Sequence, residues 1–151
     1  MKLSTKGRYG ALAMLDLALH YNMDNTPVAL GGIADRQGIS EEYLEQIFSA
    51  LRKSGIVESV RGAQGGYKLG HSADKITIGD ILRVLEGSLA PVDCVVEGKA
   101  PACERYDECV INGVWLKLRD AINKTVDSVT LEDLVLEVRA RQHDKEFMYF
   151  I

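Results

Sequence analysis

Three cysteines stand in one stretch of this 151-residue sequence, Cys94, Cys103 and Cys109, in the pattern C-x8-C-x5-C. An odd count argues against a disulfide framework and for metal or redox chemistry. The C-x-x-C pair of a zinc ribbon is missing. Three thiolates converging from one loop suit an iron–sulfur cluster that takes one further, non-thiolate ligand. His20, His71 and His143 lie far away in sequence and read as surface or capping residues.

A second set of residues could contact nucleic acid. Ser4, Thr5, Lys6, Arg8 and Tyr9 cluster at the start of a helix, where hydroxyls, amines and free backbone N–H groups can hold a phosphate without reading bases. Further on, Glu42, Glu45, Gln46 and Ser49 fall between the apolar positions of another helix. Glutamine can pair with adenine, and glutamate can accept from cytosine N4. An acidic reader is costly near phosphates, so Glu45 is expected to discriminate between sites more than to add affinity. Glu41 and Glu42 also compensate the dipole of that helix in its first turn. Arg61, beside Gly62, suits a narrow minor groove, where negative potential is enhanced. Arg52 and Lys53 are either phosphate contacts or a solvated helix end.

The net charge of −4 runs against this role, but the charge is unevenly spread. Residues 1–70 carry eight cations and seven acids, so the acidity sits in the rest of the chain. Local positive potential is all that phosphate contact needs.

These residues need elements to position them. Ser4 or Thr5 can cap a helix to about Tyr21, with Ala11, Leu12, Leu15, Ala18 and Leu19 as its buried stripe. A turn over Asn22–Pro27 leads to a weak helix, Val28 to Gln37, with Leu30, Ile33 and Ala34 inward and Gly38 as its left-handed stop. Ser40 caps a third helix whose apolar face is Tyr43, Leu44, Ile47, Phe48 and Leu51. Helix, glycine-centred turn, helix is a helix-turn-helix signal. Ile56–Val60 and Tyr67–Leu69 then read as two strands around a glycine-rich hairpin loop that carries Arg61. Together they make a winged helix. Thr77 to Glu86 is a fourth helix, with Ile78, Ile81, Leu82 and Leu85 inward. Gly113 to about Val126 is a fifth, bearing Trp115, Leu118 and Ile122 on one face and apolar residues on others, which implies burial on two sides. Thr130 caps a last helix to about Arg139. The tail ends in five apolar residues, Phe147 to Ile151, suited to docking on the protein's own surface or in a partner's pocket.

The expected class is mainly α with a small β-hairpin wing: a winged helix-turn-helix plus a long dimerisation helix. Residues 1–87 form the DNA-binding domain, 88–112 the cysteine-containing, cluster-binding loop, 113–139 the dimerisation helices and 140–151 the tail. One reading helix covers few base pairs, so a homodimer on a palindromic site is expected, with Trp115, Leu118 and Ile122 at its seam. No run of eighteen apolar residues suggests a membrane span, and no apolar segment follows the basic start as in a signal peptide, so a cytoplasmic protein is expected. The sequence shows no nucleophile–base pair, no phosphate loop with lysine and no paired-carboxylate motif, so an enzyme is not expected.

Several separated motifs carry a resemblance: Met1 to Gly10, Tyr43-Leu44-Glu45-Gln46, Arg61-Gly62-x-x-Gly65-Gly66-Tyr67, Gly79-Asp80-Ile81 and Thr130 to Leu134. Over residues 1 to about 135 the chain resembles the Rrf-two family of bacterial winged-helix regulators. The resemblance implies a homodimer that binds palindromic promoter DNA and responds to cluster status, redox state or cysteine supply. Ser40, Tyr43 and Gly62 join the expected DNA-binding set beside Glu42, Glu45, Gln46 and Arg61. Cys94, Cys103 and Cys109 become the expected ligands of an iron–sulfur cluster, [2Fe–2S] in preference to [4Fe–4S], in a repressor of cluster-biogenesis genes. Two departures stand out. The first cysteine gap is longer than usual in the cluster regulators, and Asn112 stands where they carry a histidine, leaving the fourth ligand open. A second branch implies a cysteine-metabolism repressor, whose aromatic–isoleucine tail partners cysteine synthase.

Overall fold

The computed structural model describes residues 2–21 and 26–149. Six α-helices and one hairpin follow in the order α1 (Thr5–His20), α2 (Leu30–Gln37), α3 (Glu41–Lys53), β1 (Val57–Val60), β2 (Gly66–Leu69), α4 (Ile78–Glu86), α5 (Asn112–Asp127) and α6 (Leu131–Tyr149). The class expected from sequence is the one observed.

Each boundary in the first half has a local cause. Ser4 caps α1 by accepting from the Gly7 N–H. Gly38, at φ 64°, ends α2 in the left-handed region. Ser40 caps α3 by accepting from the Tyr43 N–H. Thr77 and Asp80 close a reciprocal capping box on α4. The strands pair antiparallel, Val57 with Leu69 through Val60 with Gly66.

The core gathers α1, α2, α3, α4 and the wing, with Met14, Leu17, Ile33, Leu44, Ile47, Phe48, Leu51 and Ile81 fully buried. Leu131 and Val135 of α6 join the same cluster. Two backbone bonds sew the start of α6 to the start of α4, from the Ile78 N–H to Val129 O and from the Leu131 N–H to Ile76 O, each 2.9 Å.

Four expectations change. The stripe of α1 is rotated: Gly7, Gly10, Ala13, Met14, Leu17 and Ala18 face inward, while Leu12 is 48% exposed. The cause is the fit against α4. A Cβ at Gly7 or Gly10 would overlap Glu86 or Leu85, so the small residues, rather than the leucines, mark the contact face. Val28 is not helical. It exchanges two 2.8 Å backbone hydrogen bonds with Tyr67 and so continues the wing. The last helix does not end near Arg139 but runs to Tyr149, because residues 139–149 contain no glycine or proline to stop it. Its first turns pack on α1, so α6 serves the first domain's core as well. The fourth change concerns α5. Its only buried residue is Asn112, and Trp115, Leu118 and Ile122 are half-buried in the single chain rather than covered on two sides. Residues 22–25 of the expected turn, and Phe150 and Ile151 of the tail, lie outside the described residues.

Candidate nucleic-acid interface and cysteine segment

The α3 helix divides cleanly by face. Leu44, Ile47, Phe48 and Leu51 are fully buried, while Glu42, Glu45 and Gln46 are exposed and Ser49 is half-buried. Among the described residues, Glu42, Glu45 and Gln46 have no intramolecular hydrogen-bond or ion-pair partner, so their polar ends are available to a ligand. Phe48 reaches the wing through a tilted ring contact with Tyr67 at 4.8 Å. The wing is braced on its outer face by Lys68 and Glu58, 3.3 Å apart across the register pair. Beyond it, Arg61, Gly62, Ala63 and Gln64 are exposed.

The N-terminus of α1 lies beside the N-terminus of α3. Tyr9 and Tyr43 meet edge to face, with centroids 6.0 Å apart. Thr5, Tyr9, Gly38, Ile39, Ser40 and Tyr43 line an open depression of about 440 Å³. The expected phosphate-contacting residues Thr5 and Tyr9 are therefore neighbours of Ser40 and the start of α3. Arg8 is exposed and Lys6 half-buried. Ser4 differs from expectation: its N–H donates to Glu86 at 3.0 Å, and its hydroxyl is also held by Glu86. Those two donors are spent inside the protein.

One polar site went unseen in the sequence. Asp16 is 2% exposed, yet it is ionised and fully engaged. Arg36 donates to both its oxygens at 2.7–3.1 Å, Gln37 donates at 2.9 Å, and His20 lies 3.4 Å away. Burial alone would raise its pKa. The hydrogen bonds from Arg36 and Gln37, with the charges of Arg36 and His20, outweigh burial and hold it below the usual carboxylate value. This pair fixes α2 on α1, and so sets where α3 stands. The available signal was a lone acid between Leu15 and Leu17 in an apolar run.

The cysteine segment is open by comparison. Cys94 and Cys109 are half-buried and Cys103 is exposed, all three as free thiols. Three consecutive tight turns link Cys103, Tyr106, Cys109 and Asn112, each N–H donating to the carbonyl three residues earlier at 3.1–3.3 Å. Cys94 approaches the same place: its thiol donates to Asn112 Oδ1 at 4.0 Å. The donor types suit a cluster at three positions, and Asn112 adds only a neutral amide oxygen, a poor iron ligand. The expected convergence is incomplete, because among the described residues no three His, Cys, Asp or Glu side chains form a metal-holding group.

Polar clamps hold α5 in place. Arg83 of α4 forks onto Asp127 at 2.6 and 2.9 Å and reaches Asn123 at 3.0 Å. That hydrogen-bonded pairing raises the pKa of Arg83 and lowers that of Asp127. Arg119 donates to Val95 O at 3.1 Å, next to Cys94. Ile111 and Val114 are each 50% exposed. Elsewhere on α5, Ile122 and Val126 join Leu3, Leu82, Leu89 and Pro91 around an open cavity of about 380 Å³ that Lys2 and Glu86 also line. Among the described residues no helix is long and apolar enough to cross a membrane.

Comparison with known proteins agrees with this anatomy. Residues 3–137 match the Rrf2 family profile, described as "Iron-dependent Transcriptional regulator". The HTH-type transcriptional regulator CymR of Bacillus subtilis (strain 168) is 44% identical over 151 residues, all of both chains. The HTH-type transcriptional regulator IscR of Cronobacter sakazakii is 43% identical over 150 residues, 96% of this chain and 90% of that one. A solved structure of CymR, the global cysteine regulator of B. subtilis, superposes with TM-score 0.73 at 47% identity, covering 91% of this chain and 98% of the other. The chain belongs to the Rrf2 family and is a DNA-binding winged-helix transcriptional regulator rather than an enzyme.

Proposed function

We propose that this regulator is a homodimeric repressor of iron–sulfur cluster biogenesis genes that senses cluster status through Cys94, Cys103 and Cys109. Two copies related by a two-fold axis present Glu42, Tyr43, Glu45 and Gln46 of α3 to successive major grooves of a palindromic promoter, roughly one helical turn apart. Arg61 and Gly62 enter the flanking minor groove. Ser4, Thr5, Lys6, Arg8, Tyr9 and Ser40 set register on the backbone, Ser4 by capping α1 and not by direct contact. Trp115, Leu118 and Ile122 of α5 form the seam, since the single chain leaves them half-uncovered. The carrying observation is the pairing of two features in one chain: unpartnered polar ends on α3, and three free thiols in the segment leading into α5.

The three cysteines would hold the cluster, [2Fe–2S] in preference to [4Fe–4S]. When bound, it would supply an oxidant-sensitive link between segments that are otherwise joined loosely. The chain's own part is to hold Cys94 and Cys109 at the start of α5, through Asn112, and to tie that helix to α4. A ligand can shift such a dimer only by stabilising one of its states more than the other.

The test is to purify the protein without oxygen, reconstitute it with iron and sulfide, and replace the three cysteines by alanine. The expected result is visible absorbance and promoter selectivity in the wild type, with both lost in the variant. Survival of both in the variant refutes the cluster reading.

The second reading is a cysteine-metabolism repressor that acts through cysteine synthase. The similarity to CymR and the apolar residues 147–151 favour it. Deleting those five residues separates the two: loss of cysteine synthase binding supports the second reading, and absence of any binding by the intact chain removes it.

A further inference from the structure

Cys94 and the N-terminal arm of α1 do not touch, yet two sets of polar contacts, joined through the body of α4, lie between them. Arg119 of α5 donates to Val95 O at 3.1 Å, one residue beyond Cys94. Asn123, one turn further along α5, donates to Glu97 at 3.4 Å from the same turn of chain. The Oδ1 of Asn123 accepts from Arg83 of α4 at 3.0 Å, and Arg83 also forks onto Asp127. Three residues along α4 from Arg83, Glu86 takes the N–H and hydroxyl of Ser4, the cap of α1. Residues three apart lie on one side of a helix, so α4 carries both contacts as one short rod.

The backbone is shaped to both carboxylates. A Cβ at Gly79 would collide with the Asp127 carboxylate, and one at Gly7 with that of Glu86. Two separate helices thus leave out a side chain where the series needs room.

We infer that Arg119, Arg83 and Glu86 are positioning residues of a single relay, through which the placement of the Cys94–Glu97 turn sets the placement of Ser4 to Arg8. Loosening the turn frees Arg119 and Asn123, which shifts Arg83 and the end of α4, and so alters how firmly Glu86 holds the Ser4 cap. The relay rests on the proposed reading in one respect: its far end matters to regulation because the α1 arm meets DNA.

Its test does not need DNA. Amide hydrogen exchange at Gly7 and Arg8, whose N–H groups bond to Ser4, reads the far end directly. Four proteins are compared: wild type, Arg119→Lys, Arg83→Met and the double variant. Arg119→Lys keeps the charge and removes the guanidinium N–H that bonds Val95 O, a surface change the fold tolerates. It is expected to speed exchange at Gly7 and Arg8 about threefold in the wild-type background and to add nothing once Arg83 is gone, the sign of coupled sites. Unchanged rates, or an equal increment in both backgrounds, overturn the relay. So does a parallel rise at Leu44 and Ile47 of α3, which would mean general loosening. Glu86→Gln repeats the measurement from the other end and is expected to speed the same two amides. Promoter affinity of the same proteins is measured alongside. Coupled exchange without any DNA binding defeats the proposed function and leaves the relay standing; DNA binding with uncoupled exchange does the reverse.

Discussion

Between its caps, α3 buries Leu44, Ile47, Phe48 and Leu51 completely; α5 is longer and buries one residue, an asparagine. Both helices carry ample apolar side chains. The difference lies in what surrounds them. Four neighbouring elements close over α3, whereas α5 meets α4 on one side and the thin cysteine segment on another. Hydrophobic burial therefore holds α3. Directional contacts hold α5, namely Arg83 on Asp127 and Arg119 on Val95 O, and its apolar residues stay half in water. Burial is non-directional and grows with area, so it fixes a rigid part. A few geometric clamps with an unfilled apolar face fix a part that awaits another surface.

The sharpest way to break this contrast is to truncate one residue from each helix. Phe48→Ala is expected to cost about 3–5 kcal/mol of stability, as core truncations do. Leu118→Ala is expected to cost well under half of that in the monomer. Urea denaturation followed by Trp115, the single tryptophan, checks both. Equal losses would show that α5 is part of the core after all.

The winged half has one polar exception of its own. Arg36→Met leaves Asp16 buried without its main partner and is expected to cost about 3 kcal/mol at neutral pH. The sign with pH follows from the direction of the shift. In the wild type the folded Asp16 pKa is depressed, so its stabilisation is complete above the ordinary carboxylate range and fades as pH falls through the folded value. In the variant burial dominates and raises that value, so protonation relieves the folded state. The deficit between the two proteins should then shrink as pH drops from 7 towards about 4. A deficit that widens instead would mean Asp16 is not ionised in the wild type.

The smallest expected effect falls on α5. Ile122→Asp should leave the monomer folded and weaken self-association at least about tenfold, equivalent to roughly 1.4 kcal/mol. Sedimentation over a range of concentrations reads it. An unchanged dimer would move the seam elsewhere.

Local signals made the winged half legible. Ser4 (or Thr5), Ser40 and Thr130 were readable as caps, Gly38 as a stop and residues 61–66 as a hairpin loop, since each acts within four residues of itself. The Asp16–Arg36 pair was not, because its partners stand twenty residues apart and nothing in either neighbourhood names the other. The face of α1 was misjudged for a similar reason. Counting leucines finds apolar surface, but the contact with α4 is decided by the absence of side chains at Gly7 and Gly10. The extra turns of α6 escaped because good helix formers continue after the apolar pattern fades. The exposed polar side of α3, with Glu42, Glu45 and Gln46, was legible from spacing. The bond between Ser4 and Glu86 was not, since it spans eighty-two residues.

The bonds between residues 76–78 and 129–131 have a consequence for how this chain can vary. Past α4 the chain leaves the core and is drawn back to it at residues 129–131, like a bight drawn through a knot. Adding residues to such an excursion costs little, about 0.6 kcal/mol for each doubling of its length. The wide interval between Cys94 and Cys103 is thus a freedom the architecture grants: a lineage can lengthen or shorten the cysteine segment here while the winged half keeps its shape.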